Sequence, residues 1–195
     1  MPSLETEKTR ALRADARRNR DRVLRTAQRL FAERGLAVSL DEIARHAGVG
    51  PGTVHRHFPT KEALYLAVVI DQLEQLVAEA KALAAADDPE ALFTQLTRMT
   101  AMGAENATVK SALMAAEFDL RTVAADVAAE LTDQVAHLLA RAQAAGAVRA
   151  DVTVDEVMAL VAGTFAAIRH AGAESDPERS AHLARLVLDG LRVRG

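Results

Sequence analysis

The chain has 195 residues, half of them hydrophobic, with no cysteine and a formal charge of −3, enough length to bury a core in one large domain or two small ones. Without cysteine there is no disulfide framework, thiol nucleophile or cysteine-ligated zinc, and a reducing, cytoplasmic setting is expected. The longest purely apolar run, Ala63 to Ile70, falls far short of the roughly 20 residues that span a bilayer, so no membrane partner is expected.

Charge is unevenly distributed. Residues 1–63 carry 13 Lys+Arg against 8 Asp+Glu, and the remainder 11 against 19. A basic head on an acidic body suits a head that meets a polyanion, although uneven solvated charge produces the same split.

From Asn19 to Arg34 the apolar residues Val23, Ala27, Leu30 and Phe31 recur at helical spacing and Gly35 follows, which predicts an amphipathic helix with a glycine stop. Ser39-Leu40-Asp41-Glu42 matches a capping box. Behind it Ile43, Ala44 and Ala47 make an apolar stripe that ends at Gly48.

The next stretch, Gly48 to Phe58 (GVGPGTVHRHF), admits three readings. A phosphate-cradling loop needs a preceding strand, and here a helix precedes and no Gly-Lys-Ser/Thr follows. A metal held by His55 and His57 fails because residues two apart point about 200° apart on a helix. The third reading is two short helices joined by Gly48-Val49-Gly50, with Pro51 at the first position of the second helix, where its missing N–H costs nothing. Val54 and Phe58 then face the core, while Gly52 and Arg56 centre a small polar face flanked by Thr53 and His55. This is a helix-turn-helix, whose second helix enters the DNA major groove.

Further helices are expected at 61–84, 89–104, 107–116, 118–145, 154–171 and 177–192, divided by Asp88-Pro89-Glu90, Thr153-x-x-Glu156 and Ser175-x-x-Glu178. No alternating β pattern competes. The expected fold is all-α, about nine helices: a basic arm at 1–18, a three-helix DNA-binding domain at 19–63 and a helical domain at 64–195.

From Arg22 to Leu64 the order, spacing and residue types resemble the TetR-type (tetracycline repressor-like) transcriptional regulators. Two departures stand out: His55 occupies a position where tyrosine is usual, and Val54 one where leucine is common. The resemblance implies that Ser39 and Lys61 anchor on phosphates and that Thr53, His55 and Arg56 lie in the groove, Arg56 facing a guanine. Gly52 would permit close approach. His57, nearer the core edge, is as well suited to packing as to DNA. The basic arm, with Arg17 and Arg18, would follow the DNA backbone or minor groove, or stay a disordered leader.

The resemblance further implies a homodimer on palindromic double-stranded DNA, paired through the last two helices, with Val157, Val161, Thr164, Ile168, Leu183, Leu186, Val187 and Leu191 as interface candidates. Leu160 and Phe165 extend the first stripe, and Gly163 and Gly190 would allow close approach. It implies a small-molecule effector within 61–145 that releases a repressor from DNA. Met99, Met102, Met114, Phe93, Phe118 and Phe165 are candidate lining residues, with Asn106, Glu117, Arg121 and His137 as polar contacts, although methionine at helical spacing also serves as ordinary core. No cofactor or metal is expected. Two alternatives remain: a constitutive DNA-binding protein without ligand, and a helical enzyme using Glu117, Asp119 and His137, whose spacing matches no catalytic motif.

Overall fold

The computed structural model describes residues 4–86, 88–105, 109, 112–113, 120–174 and 176–193. Among them the fold is all-helical, apart from one isolated antiparallel bridge between Val148 and Arg192. The chain divides into two compact units, Met1–Val69 and Ile70–Gly195. The division falls inside a helix, after Val69.

The first unit opens with α1, Leu4–Arg34. The helix expected from Asn19 therefore begins much earlier, and the arm assigned to 1–18 is helical from Leu4. No glycine or proline interrupts residues 4–34. Short-range polar pairs support its exposed face: Asp15 with Arg18, and Arg22, which donates to Oδ1 of Asn19 at 2.7 Å. Apolar periodicity marked only residues 19–34 of this helix.

Gly35 adopts φ 69°, a left-handed conformation that side chains disfavour, and starts a single 3-10 turn, Gly35–Ala37. Then come α2 (Leu40–Ala47), α3 (Pro51–His57) and α4 (Lys61–Ala85). Ser39 caps α2, its Oγ accepting from Glu42 N at 3.1 Å. The expected box is only half formed, because Arg34 donates to the Glu42 carboxylate at 2.7 Å. Gly48, at φ 65°, closes α2, its N–H donating to Ala44 and Arg45 carbonyls.

The core of this unit is built from Leu24, Ala27, Leu30, Ile43, Ala44, Val54, Leu64 and Val68, all essentially without exposed surface. Each large member contributes about 1.5–3 kcal/mol of apolar burial. Phe31 meets Tyr65 edge-on at 5.1 Å.

The second unit contains the rest of α4, then α5 (Ala91–Glu105), α6 (Leu120–Val123), α7 (Ala125–Ala144), α8 (Val154–His170), α9 (Pro177–Leu188) and a closing 3-10 turn, Asp189–Leu191. α5 packs against α7, α8 and α9, around Leu76, Leu92, Leu96, Leu138, Val157 and Leu188.

Several boundaries correct the expectation. The helix predicted over 118–145 is interrupted at Ala124, where φ −102° and ψ 12° leave the helical region. α9 stops at Leu188 and tightens into the 3-10 turn instead of running to 192. Its cap is Asp176, which accepts from Arg179 N at 3.0 Å, rather than Ser175, and Ser175 lies outside the described residues. Most of the helix predicted at 107–116 also lies outside them. The Thr153–Glu156 capping box is complete.

Candidate nucleic-acid interface

The second and third helices are tied together by apolar residues beneath and polar residues above. Ile43, Ala44 and Ala47 of α2 and Val54 of α3 are buried, and Phe58 closes the α3 C-terminus, its N–H donating to Val54 O at 2.8 Å. Gly52, His55, Arg56 and His57 are exposed and Thr53 is half-buried.

A Cβ built on Gly52 would meet nothing within 4 Å. Internal packing therefore does not require glycine there, and the position leaves the helix backbone open to approach from outside. No ion pair of Arg56 occurs among the described residues, so its guanidinium is available. His57 is exposed rather than at the core edge, although its ring lies 6.1 Å from Phe58.

The two expected phosphate anchors differ. Ser39 is exposed, and its hydroxyl hydrogen remains free to donate while the oxygen caps α2. Lys61 instead donates to Leu36 O at 3.1 Å and to Ala37 O at 3.5 Å, and Tyr65 donates to the same Leu36 oxygen at 3.2 Å. The ammonium thus ties α4 to the turn before α2. Burial raises the Tyr65 hydroxyl above its ordinary value, with a smaller contribution from Glu62, so it stays protonated as that donor.

His55, exposed on α3, also makes a contact across the turn: its Nε2 lies 2.9 Å from Oδ1 of Asp41 on α2, 14 residues away, which periodicity could not reveal.

In the second unit, burial divides the interface candidates. Val157, Val161, Thr164, Ile168 and Leu191 are buried within the subunit, and Thr164 Oγ1 returns its hydrogen to Leu160 O at 2.8 Å. They form the stripe that faces the subunit's own core. Leu160 and Leu186 are exposed, Leu183 and Val187 half-exposed, and a Cβ on Gly163 or Gly190 would meet nothing within 4 Å.

Of the effector candidates, Met99 and Phe93 are buried in the core and Met102 and Phe165 pack against it. His137 is exposed on α7, which removes it from any internal site. Met114, Phe118, Asn106, Glu117 and Asp119 lie outside the described residues, as does the Arg121 side chain. Sequence reading missed Gln95, which is fully buried. Its Nε2 donates to Leu76 O at 3.1 Å, while its Oε1 has no hydrogen-bond partner among the described residues. Gln95, Met99 and Met102 follow at i, i+4 and i+7, one face of α5. A polar residue on an apolar stripe was the available signal.

An exposed polar helix presented after a tight turn on a small basic unit defines a helix-turn-helix DNA-binding protein. Comparison with known proteins narrows the class. Residues 23–68 match the tetR family of bacterial regulatory proteins, and residues 87–193 match the C-terminal domain of SbtR-like transcriptional regulators. A TetR transcription regulatory protein from Mycobacterium vanbaalenii is 44% identical, with 93% of this chain and 99% of that one aligned at a TM-score of 0.75. The TetR regulator SCO0520 from Streptomyces coelicolor is 32% identical over 90% of this chain and 99% of its own, TM-score 0.72. An HTH-type transcriptional regulator of Staphylococcus aureus (strain USA300) is 37% identical over 71 residues, and the match spans 38% of that protein's length. The chain belongs to the TetR family and is a DNA-binding transcriptional regulator.

Proposed function

We propose that the chain acts as a homodimeric repressor, released from a palindromic operator by a small molecule. The observation that carries the DNA half is the α3 face, with Gly52 open and Arg56 lacking any described carboxylate partner. Thr53, His55 and Arg56 enter the major groove, Ser39 and Lys61 meet phosphates, and His57 lies at the margin. Lys61 can give up one of its two carbonyl contacts to do so. The domain that reads DNA is residues 19–63, extended by the basic first helix, and the remainder senses and dimerises.

One such unit offers too small a surface for high specificity, so two copies read half-sites about 34 Å apart. The strip formed by Leu160, Gly163, Leu183, Leu186, Val187 and Gly190 pairs them, an assignment favoured by its exposure and by the two open glycines. A protein of this kind works on chromosomal DNA in the cytoplasm.

Ligand response is favoured over constitutive binding by Gln95. A buried carbonyl oxygen without a partner costs about 1–3 kcal/mol, and a ligand that donates a hydrogen bond recovers it. The effector is then an apolar molecule with one hydroxyl or N–H, held near Met99, Met102 and Phe165. Among the described residues no acid/base pair points to turnover, and the chain has no catalytic role in this reading.

Selection of bound DNA from a random duplex pool tests the reading. A two-fold symmetric consensus whose binding weakens with salt is expected. An unsymmetric or absent consensus would reject it. Gln95→Leu is expected to keep operator binding and lose release, and retained release rejects the effector site.

A further inference from the structure

On α3 the far nitrogen of one reading residue is already engaged. His55 Nε2 lies 2.9 Å from Asp41 Oδ1, although the histidine is half-exposed and the aspartate largely exposed, so burial does not force the contact. An ionised carboxylate only accepts, and the nitrogen facing it must therefore carry the hydrogen. In the neutral ring this leaves Nδ1 as an acceptor.

The neighbouring charges do not compete for the ring. On α2, Glu42 pairs with Arg34 at 2.7 Å and lies 3.9 Å from Arg45 and from His46. On α3 itself, Arg56 and His57 follow in sequence, and neither is joined to His55 by a described bond. Helical side chains lean over the preceding turn, and three residues before His55 stands Gly52, around which a Cβ would find open space. A base edge can thus approach the ring across Gly52.

We infer that Asp41 is a positioning residue for DNA readout: by holding Nε2–H it makes His55 present Nδ1 as an acceptor, selecting an amino donor, N4 of cytosine or N6 of adenine, at one position of each half-site. The inference rests on the placement of α3 in the major groove proposed above. An unheld histidine takes either tautomer and can donate to guanine N7 or O6, or to phosphate. The held one cannot donate from Nδ1 while neutral. Asp41 brings a negative charge towards the DNA, so it trades affinity for discrimination. That separation of affinity from discrimination distinguishes positioning from a general structural role.

The test is selection of bound DNA from a random duplex pool at pH 8 with the full chain, its Asp41→Ala, Asp41→Asn and His55→Ala variants, and imidazole 15N NMR of the free proteins. Wild type is expected to enrich adenine or cytosine at one position per half-site, and His55→Ala to lose that preference alone. Asp41→Ala loses the same preference, about 10-fold, with total affinity equal or raised. Asp41→Asn, whose side-chain carbonyl accepts the same bond, retains it. The 15N shifts report Nε2–H in wild type and a mixture of tautomers in Asp41→Ala. A wild-type preference that survives in Asp41→Ala, a loss spread over several positions, or an Nδ1–H tautomer in wild type overturns the inference. A wild type without any symmetric consensus overturns the groove placement and the inference together, whereas an intact consensus in Asp41→Ala overturns the inference alone.

Discussion

Two arginines show how surroundings assign work to the same side chain. No ion pair of Arg56 occurs among the described residues, whereas Arg192 lies 3.8 Å over the Phe93 ring and donates twice to Glu90, at 2.8 and 2.7 Å. Arg56→Ala is expected to leave folding intact and relax specificity at one position per half-site by about 1–3 kcal/mol, measured by competition between operator variants. Arg192 is instead structural, and its hydrogen bonds hold the Glu90 carboxyl below its ordinary value, against a smaller opposing effect of burial. A carboxyl depressed in the folded chain gives stability that is present above its unfolded value and lost as pH falls through the folded one. Both side chains are about half-exposed, so solvent screening keeps the contribution under about 1 kcal/mol. Urea midpoints should therefore fall more for wild type than for Glu90→Gln between pH 7 and pH 3, and parallel falls would show that the pair contributes nothing.

At the scale of helices, Gly103 on α5 is a sharper constraint than its sequence suggests. An added Cβ would lie 2.7 Å from Cδ1 of Phe165 on α8 and closer to two other ring atoms. Glycine to alanine within a helix ordinarily gains about 1 kcal/mol, but displacing a packed ring costs about 1–3 kcal/mol. Gly103→Ala is expected to lower the thermal midpoint, and Phe165→Leu to restore it in the double variant. A raised midpoint in the single variant would show that the ring yields freely. Helices such as α2, α3 and α8 were legible because caps and apolar periodicity agree there: Ser39, Pro51 and Thr153 at the starts, buried Ile43, Val54 and Val157 behind. The Ala124 break was not legible, since nothing in that alanine-rich stretch breaks a helix locally. The exposed face of α3 followed from angles about one helix axis, whereas Lys61 to Leu36, His55 to Asp41 and the orphaned Gln95 oxygen depend on contacts between elements, which spacing along one helix does not encode. The split of the interface candidates into buried and exposed residues has a related cause. α8 carries apolar or small residues on two neighbouring faces, and periodicity cannot say which one the subunit's own core takes.

For the whole molecule, the proposed dimer would tie recognition to assembly, and Leu186 gives the means to test it. It is 61% exposed on α9, in register with Leu183 and Gly190 at helical spacing, so a charge there should not disturb the subunit's core. In a two-fold interface the same residue enters twice, and Leu186→Glu places two carboxylates in a desolvated patch, each costly to bury and repelling the other. The expected outcome is a monomer by light scattering with unchanged helical circular dichroism. Its operator affinity should collapse towards that of one half-site, because the two reading helices no longer bind as one unit. Val161→Ala provides the opposite control. Its side chain is 2% exposed in the subunit core, so truncation should lower stability by about 1–3 kcal/mol through the cavity it leaves while the dimer persists. If Leu186→Glu stayed dimeric, the pairing surface would lie elsewhere on the chain. If it became monomeric yet bound the full operator as tightly as before, recognition would not need two subunits, and the palindromic reading would fail with it.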